Sequence, residues 1–209
     1  MMVRCAALLA MIAGSLCLVP HAGHAQPAPQ DPDWPCFQNL VPSLSAAEFW
    51  AGPEPKADPG WRDDQKIFDL VTTIADRDTP MAEADATLKA YAESIAKPQR
   101  ATVLPSLFGD IVQQINEERT DLIGRLKHLG HRQRGLGERV TELSAEADKI
   151  PPTATGADAA RRADLIGDRD LTIRGFQQTQ RSLRYACEAP GNLDRRLGQF
   201  ARTLMQAMK

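Results

Sequence analysis

The chain predicts an all-α protein: a long antiparallel helical hairpin with coiled-coil character, packed with shorter N-terminal helices and carrying one disulfide. Three observations lead there. Aromatic residues make up only 5% of the chain and β-branched alternation is nearly absent, which argues against strands. Apolar residues run Leu104, Phe108, Ile111, Ile115, Leu122, Leu126, Leu129, Leu136, Val140, Leu143, Ala147 and Ile150, mostly in alternating steps of four and three. The turn sequence PPTATG (151–156) follows, and the helical pattern then resumes.

Taken in order, MMVRCAALLAMIAGSLCLVPHAGHA reads as a secretory signal peptide, residues 1–25. Arg4 supplies the charge, Cys5 to Val19 the apolar run, and Gly23 and Ala25 the small residues before cleavage. That run is too short to span a bilayer, and no later segment has about 18 consecutive apolar residues. A soluble periplasmic product starting near Gln26 is expected, with 184 residues remaining (209 minus 25), enough for one domain with a real core.

Residues 26–60 read as an extended leader or strap. QPAPQDPDWP is too rich in proline for helix, and SAAEFW (45–50) has the Ser45/Glu48 spacing of a capping box for one short helix. The helical domain then occupies 61–209. In WRDDQKIFDLVTTIADR, Ile67, Leu70, Val71 and Ile74 share a face, and the helix should end near Arg77. Asp78-Thr79-Pro80 reads as the cap and first turn of the next helix, with Met81, Ala84, Leu88, Tyr91 and Ile95 on its stripe, ended by Lys97-Pro98.

The hairpin is predicted over 104–150 and 157–189, with Pro105 in the first turn, and a C-terminal helix over 191–208 after the break at Ala189-Pro190-Gly191. Glu118 and Gln133 fill two seam positions, and an extra four-residue step near Leu122 marks a stutter. A turn centred near 153 sets residue i level with about 306 − i, which puts Gly130 near Phe176 and Cys187 near Arg119. Gly124, Gly130, Gly135 and Gly137 then have two readings: close approach to a partner helix that holds Gly167 and Gly175, or a broken turn over 130–137.

With the leader removed, two cysteines remain, Cys36 and Cys187. In an oxidising compartment the expectation is that they pair, holding DWPC across the helices with Trp34 and Phe37 as buried anchors. The rival reading is a redox-active or metal-binding thiol pair, although no CxxC is present. His128 and His131 lie one turn apart, but Arg125, Lys127, Arg132 and Arg134 surround them, so solvated histidines are expected and no metal site.

The stretch INEERTD (115–121) clusters Glu117, Glu118, Arg119 and Asp121. It reads as a buried polar layer of Glu117, Glu118 and Arg119 meeting Arg184, Cys187 or Glu188 across the seam; acid–base catalysis by Glu117 and Glu118 is the alternative. The chain contains no GxSxG, Walker, HExxH, CxxCH or EF-hand pattern, and no cofactor is called for. Charge is nearly balanced, 25 basic residues against 27 acidic, which argues against nucleic-acid binding. The basic run 125–139 could touch anionic lipid, and a seam interrupted by Glu118 and Gln133 could close within the chain or in a homodimer.

The segments DWPC (33–36), VPSLSAAEFWAGP (41–53), INEERTD (115–121) and RYACEAP (184–190) resemble a family of small secreted proteobacterial proteins. The resemblance supports pairing Cys36 with Cys187 and implies no activity. The functional expectation is a non-enzymatic periplasmic adaptor, scaffold or chaperone-like accessory to another envelope protein. A periplasmic enzyme or redox accessory using the carboxylates or the cysteines is the alternative.

Overall fold

The computed structural model describes residues 31–52 and 54–209; the expected signal peptide, residues 1–25, and the first residues of the expected leader lie outside them. Among the described residues the chain is all-helical apart from the strap and connections: a 3₁₀ turn Ala46–Glu48, then α1 (Gln65–Ala75), α2 (Met81–Ser94), α3 (Lys97–Asp148), α4 (Gly156–Ala186) and α5 (Ala189–Ala207).

At 52 residues, α3 is about 78 Å long at 1.5 Å per residue and forms the spine of the molecule. Two helices placed end to end run back along it. The Gln133 amide donates to the Phe176 carbonyl at 3.3 Å, Arg119 to the Pro190 carbonyl at 3.1 Å and Arg100 to the Ala207 carbonyl at 3.0 Å. These pairs keep one antiparallel register, within a few residues of the expected one, across the short break Cys187–Glu188. α4 and α5 therefore act as one jointed partner of α3.

The N-terminal half of α3 lies in the base of the molecule. Leu104, Phe108, Ile111 and Ile115 are fully buried there in one core cluster with Leu193, Leu197, Phe200 and Leu204 of α5, Leu88 of α2 and Ile74 of α1. Trp50, which follows the 3₁₀ turn, stacks on Phe108 with ring centroids 4.9 Å apart. Small residues Ala75, Ala84 and Ala92 are fully buried, which lets the short helices pack closely. Beyond the base, α3 and α4 form a two-helix arm. Leu143 and Ala147 are buried there outside the main cluster, while Leu136, Val140, Ile166 and Ile173 are half-buried and Leu171 is exposed.

Several local expectations are corrected. Lys97-Pro98 opens α3 rather than only closing α2: Pro98 falls in the first turn, where its missing N–H has no helical partner to lose. Pro105 consequently sits in the helix interior, and the carbonyl of exposed Ala101 loses its i+4 donor and is left to water. α5 starts at Ala189, with Pro190 in its first turn, instead of at 191. Pro80 is the N-cap of α2 and no side chain caps that helix. Ser45 accepts from the Ala47 N–H, so the reciprocal Glu48 capping box does not form.

Helix α3 is continuous through 130–137, so the broken turn does not occur. Nor do the glycines mark a helix–helix approach. A Cβ at Gly124, Gly135, Gly167 or Gly175 would meet nothing within 4 Å, and one at Gly137 would touch only the Phe176 ring at 3.7 Å.

Candidate functional site

The strap runs antiparallel to α3, and α3 reads its backbone at one position after another. Asp31 pairs with Lys127 at 2.8 Å, and Arg134 binds both the Pro32 carbonyl and the Asp33 carboxylate. Further along, Arg119 Nε donates to the Val41 carbonyl at 2.8 Å. Asn116 clasps Leu44 from both sides, accepting from its N–H at 2.8 Å and donating to its carbonyl at 3.0 Å. The Asp110 carboxylate then accepts the Asp58 N–H at 2.8 Å, and Trp61 donates to Gln113 at 3.2 Å.

Two glycines make room for this path. A Cβ on Gly130 would overlap the Asp33 carbonyl oxygen, and one on Gly109 would overlap the backbone of Lys56 and Ala57. Any side chain at either position would hold the strap away from the helix.

Cys36 and Cys187 are joined by a disulfide, which ties the strap to the joint between α4 and α5. The Gln38 amide adds a bond to the Cys187 carbonyl, and Trp34 is buried with its indole N–H on the Gln38 carbonyl at 2.7 Å. Phe37 is no anchor: its ring is fully exposed, because Cys36 turns inward to the bridge and the next side chain must face out. Beside the bridge lies a groove of about 600 Å³ lined by Trp34, Phe37, Phe176, Leu183 and the two half-cystines, with Arg134 and Glu188 among the polar groups.

The expected polar layer is also corrected. Glu117, Glu118 and Arg119 are consecutive on a helix and so diverge by about 100° each. Glu117 is exposed and pairs with Arg62 at 2.7 Å. Glu118 is half-buried beside Asp76, Arg77, Asp121 and Arg125 in a small cavity of about 180 Å³, and burial raises its pKa, reinforced by the Asp76 charge. Arg119 alone of the three is buried, bound to Val41, Pro190 and, at 2.6 Å, the Asp194 carboxylate. Glu188 and Arg184 are exposed and meet none of them.

The polar residues that hold the site together include four the sequence reading passed over. Asn116 and Asp110 bind the strap, Arg196 binds the Ile74 and Thr79 carbonyls at 2.7 Å each, and Arg100 binds the Ile95 and Glu93 carbonyls as well as Ala207. Asp110 had a readable signal: it stands inside LFGDIV, an otherwise apolar run on a buried face. Burial lifts its pKa to about 6, against the opposing pull of the Asp58 N–H.

His128 and His131 are exposed, and no group of three or more metal-ligating side chains occurs among the described residues. In the basic run 125–139, Arg125 pairs with Asp121, Lys127 with Asp31, Arg134 with Asp33 and Arg139 with Glu142. Much of its charge is thus balanced by the strap and by its own helix. No helix among the described residues is long and apolar enough to cross a membrane. No protein family, curated protein or solved structure matches this chain.

Proposed function

We propose that the protein is an exported, non-enzymatic adaptor or scaffold of the bacterial envelope, which presents the strapped joint and the hairpin arm to a partner protein. The observation that carries this reading is Phe37. A phenylalanine ring stands fully in solvent on a backbone fixed by the neighbouring disulfide, at the rim of a partly apolar groove. Large aromatic side chains are anchors of protein interfaces, and one carried on a backbone fixed before binding spares the backbone share of the ordering entropy on docking. Tyr185, two residues before Cys187, is exposed as well.

The arm supplies extended surface of the kind that suits a partner helix, with Leu171 exposed on α4. A disulfide linking residues 151 positions apart fits an oxidising compartment and accords with the signal-peptide reading of residues 1–25.

The test is site-specific photocrosslinking in cells, with the reactive residue at position 37, at 171, or at exposed Glu93 on the far side of the base. One discrete adduct from 37 or 171, absent from 93 and lost in a Phe37→Asp variant that remains folded, is the expected outcome. Equal adducts from all three positions, or none, would remove the basis for an adaptor. An adduct of twice the chain mass would identify the partner as a second copy.

A further inference from the structure

We infer that the protein has an anion-binding groove between the start of α2 and the face of α5, built to take a phosphate-bearing ligand. The groove has a volume of about 760 Å³ and is lined by Arg77, Arg195, Arg196 and Arg202. It lies apart from the strapped joint, so the proposal stands or falls independently of the adaptor reading.

The groove carries an excess of unneutralised positive charge. Arg195 donates to the Asn192 amide oxygen and Arg202 to the Gln199 amide oxygen at 2.7 Å, neutral partners that orient a guanidinium without cancelling it. Arg77 approaches Asp78 at 3.9 Å and shares the adjoining cavity with Asp76 and Glu118, so its charge is balanced in part and the excess rests on Arg195, Arg196 and Arg202. Asp85 is the one carboxylate in the lining, and its two oxygens are already engaged by Thr203 and Gln199.

Arg196 is the deciding residue. It is 7% exposed, and its Nε and Nη2 are spent on the Ile74 and Thr79 carbonyls; among the described residues Asp76 and Glu118 act on its charge only from a distance, no carboxylate bonds it, and Nη1 has no hydrogen-bond partner in the protein. Buried Arg119 differs on this point, since Asp194 neutralises it at 2.6 Å. A buried cation without a bonded anion is costly, and an anion in the groove would offset that cost.

The backbone points the same way. α2 has no side-chain cap, so the first N–H groups of a 14-residue helix, at Met81 and Ala82, open on the groove with the positive end of the helix dipole. Planar guanidinium forks and free N–H groups suit the three acceptor oxygens of a phosphate. Because the groove exceeds the size of a bare phosphate and includes Pro80, Met81 and Ala82, the ligand should carry a body beyond its phosphate group.

The experiment uses the full oxidised chain in near-physiological salt, which screens loose charge attraction. Inorganic pyrophosphate is titrated calorimetrically, and flotation is run with phosphatidylglycerol vesicles. Three variants are compared: Arg195→Gln with Arg202→Gln, both exposed and outside the core; Arg196→Lys; and a control, Arg161→Gln with Arg174→Gln on the exposed face of α4. Saturable pyrophosphate binding that falls at least about tenfold in the first variant and holds in the control supports a soluble phosphate ligand. Capture by vesicles alone, with the same dependence, supports a lipid headgroup. Absence of binding in both arms, or an equal loss in the control, overturns the site.

Discussion

Replacing Gly130 by alanine should destabilise the protein, although a glycine-to-alanine change inside a helix ordinarily stabilises it by about 1 kcal/mol. The helix is continuous at that point, so the propensity gain applies in full. Against it stands the strap. The new methyl would overlap the Asp33 carbonyl oxygen, with the Asp33 carbonyl carbon at 3.1 Å and Pro35 Cβ at 3.3 Å. These are backbone and ring atoms, which cannot swing aside, and the segment is held on both flanks by Arg134 and the Cys36–Cys187 bridge. Overpacking of that kind costs about 1–3 kcal/mol, so the net effect is a loss of about 1 kcal/mol.

Gly135→Ala is the internal control, because its methyl meets nothing within 4 Å and should contribute the full gain of about 1 kcal/mol. The two variants should therefore differ by about 2 kcal/mol, or several degrees in Tm for a chain of this size. Denaturant melts of both, oxidised and in a Cys36→Ser background, give the comparison. Without the bridge the strap can lift, and the Gly130→Ala penalty should shrink or change sign. If Gly130→Ala stabilises the oxidised protein as much as Gly135→Ala does, the strap does not lie on α3 at that position.

Two further outcomes are expected. The Asp110 carboxyl titrates at about 6 when folded, against 3.8 as a reference, so the native state holds the proton more tightly and this group's stabilisation is complete below about pH 4 and lost as pH rises through 6. Glu118, also raised by burial, acts in the same direction. Asp110→Asn keeps an oxygen for the Asp58 N–H; it should flatten the stability profile between pH 4 and 6 and stabilise the protein at pH 7 by up to about 3 kcal/mol, and an unchanged slope would show the carboxyl to be solvated. Cys36→Ser opens a loop of 151 residues, for which chain entropy gives up to about 5 kcal/mol of lost stability, with faster proteolysis of the strap as the local sign. A variant as stable and as protease-resistant as the parent would mean that the backbone bonds of the strap suffice alone.

Helix identity and the paired cysteines could be read from the chain because both rest on local or compositional signals: apolar spacing, turn residues, and two cysteines left after a segment that reads as an export signal. Side-chain direction at the site could not. INEERTD holds the right residues, but the choice among Asn116, Glu117, Glu118 and Arg119 depends on which face meets the strap, and the strap has no periodicity to set its path. Phe37 departs from expectation for a related reason. An apolar residue beside a buried cysteine looks like an anchor until the bridge fixes which way each side chain points. The glycines divided in the same manner, since Gly109 and Gly130 answer to a segment distant in sequence and Gly124 and Gly135 to nothing nearby.

The buried arginines share a logic that separates structural from functional cations. Arg100 and Arg196 each set a guanidinium on backbone carbonyls where regular structure stops, at the ends of α2 and α5 and at the end of α1 with the loop after it, while Arg119 joins the strap to the first turn of α5. Carbonyls in the last turn of a helix have no intrahelical donor, and a planar five-donor group can serve two segments at once, so one side chain fastens two parts of the chain. This fastening explains why each arginine is partly or wholly buried, but it leaves the charge itself unanswered. Arg119 resolves that with Asp194, and Arg100 is only half-buried, so water can screen it. Arg196 feels Asp76 and Glu118 only from a distance, bonds neither, and faces a groove that Arg77, Arg195 and Arg202 also line; the same geometry that makes it a fastener leaves a charge that an anion in the groove would meet directly.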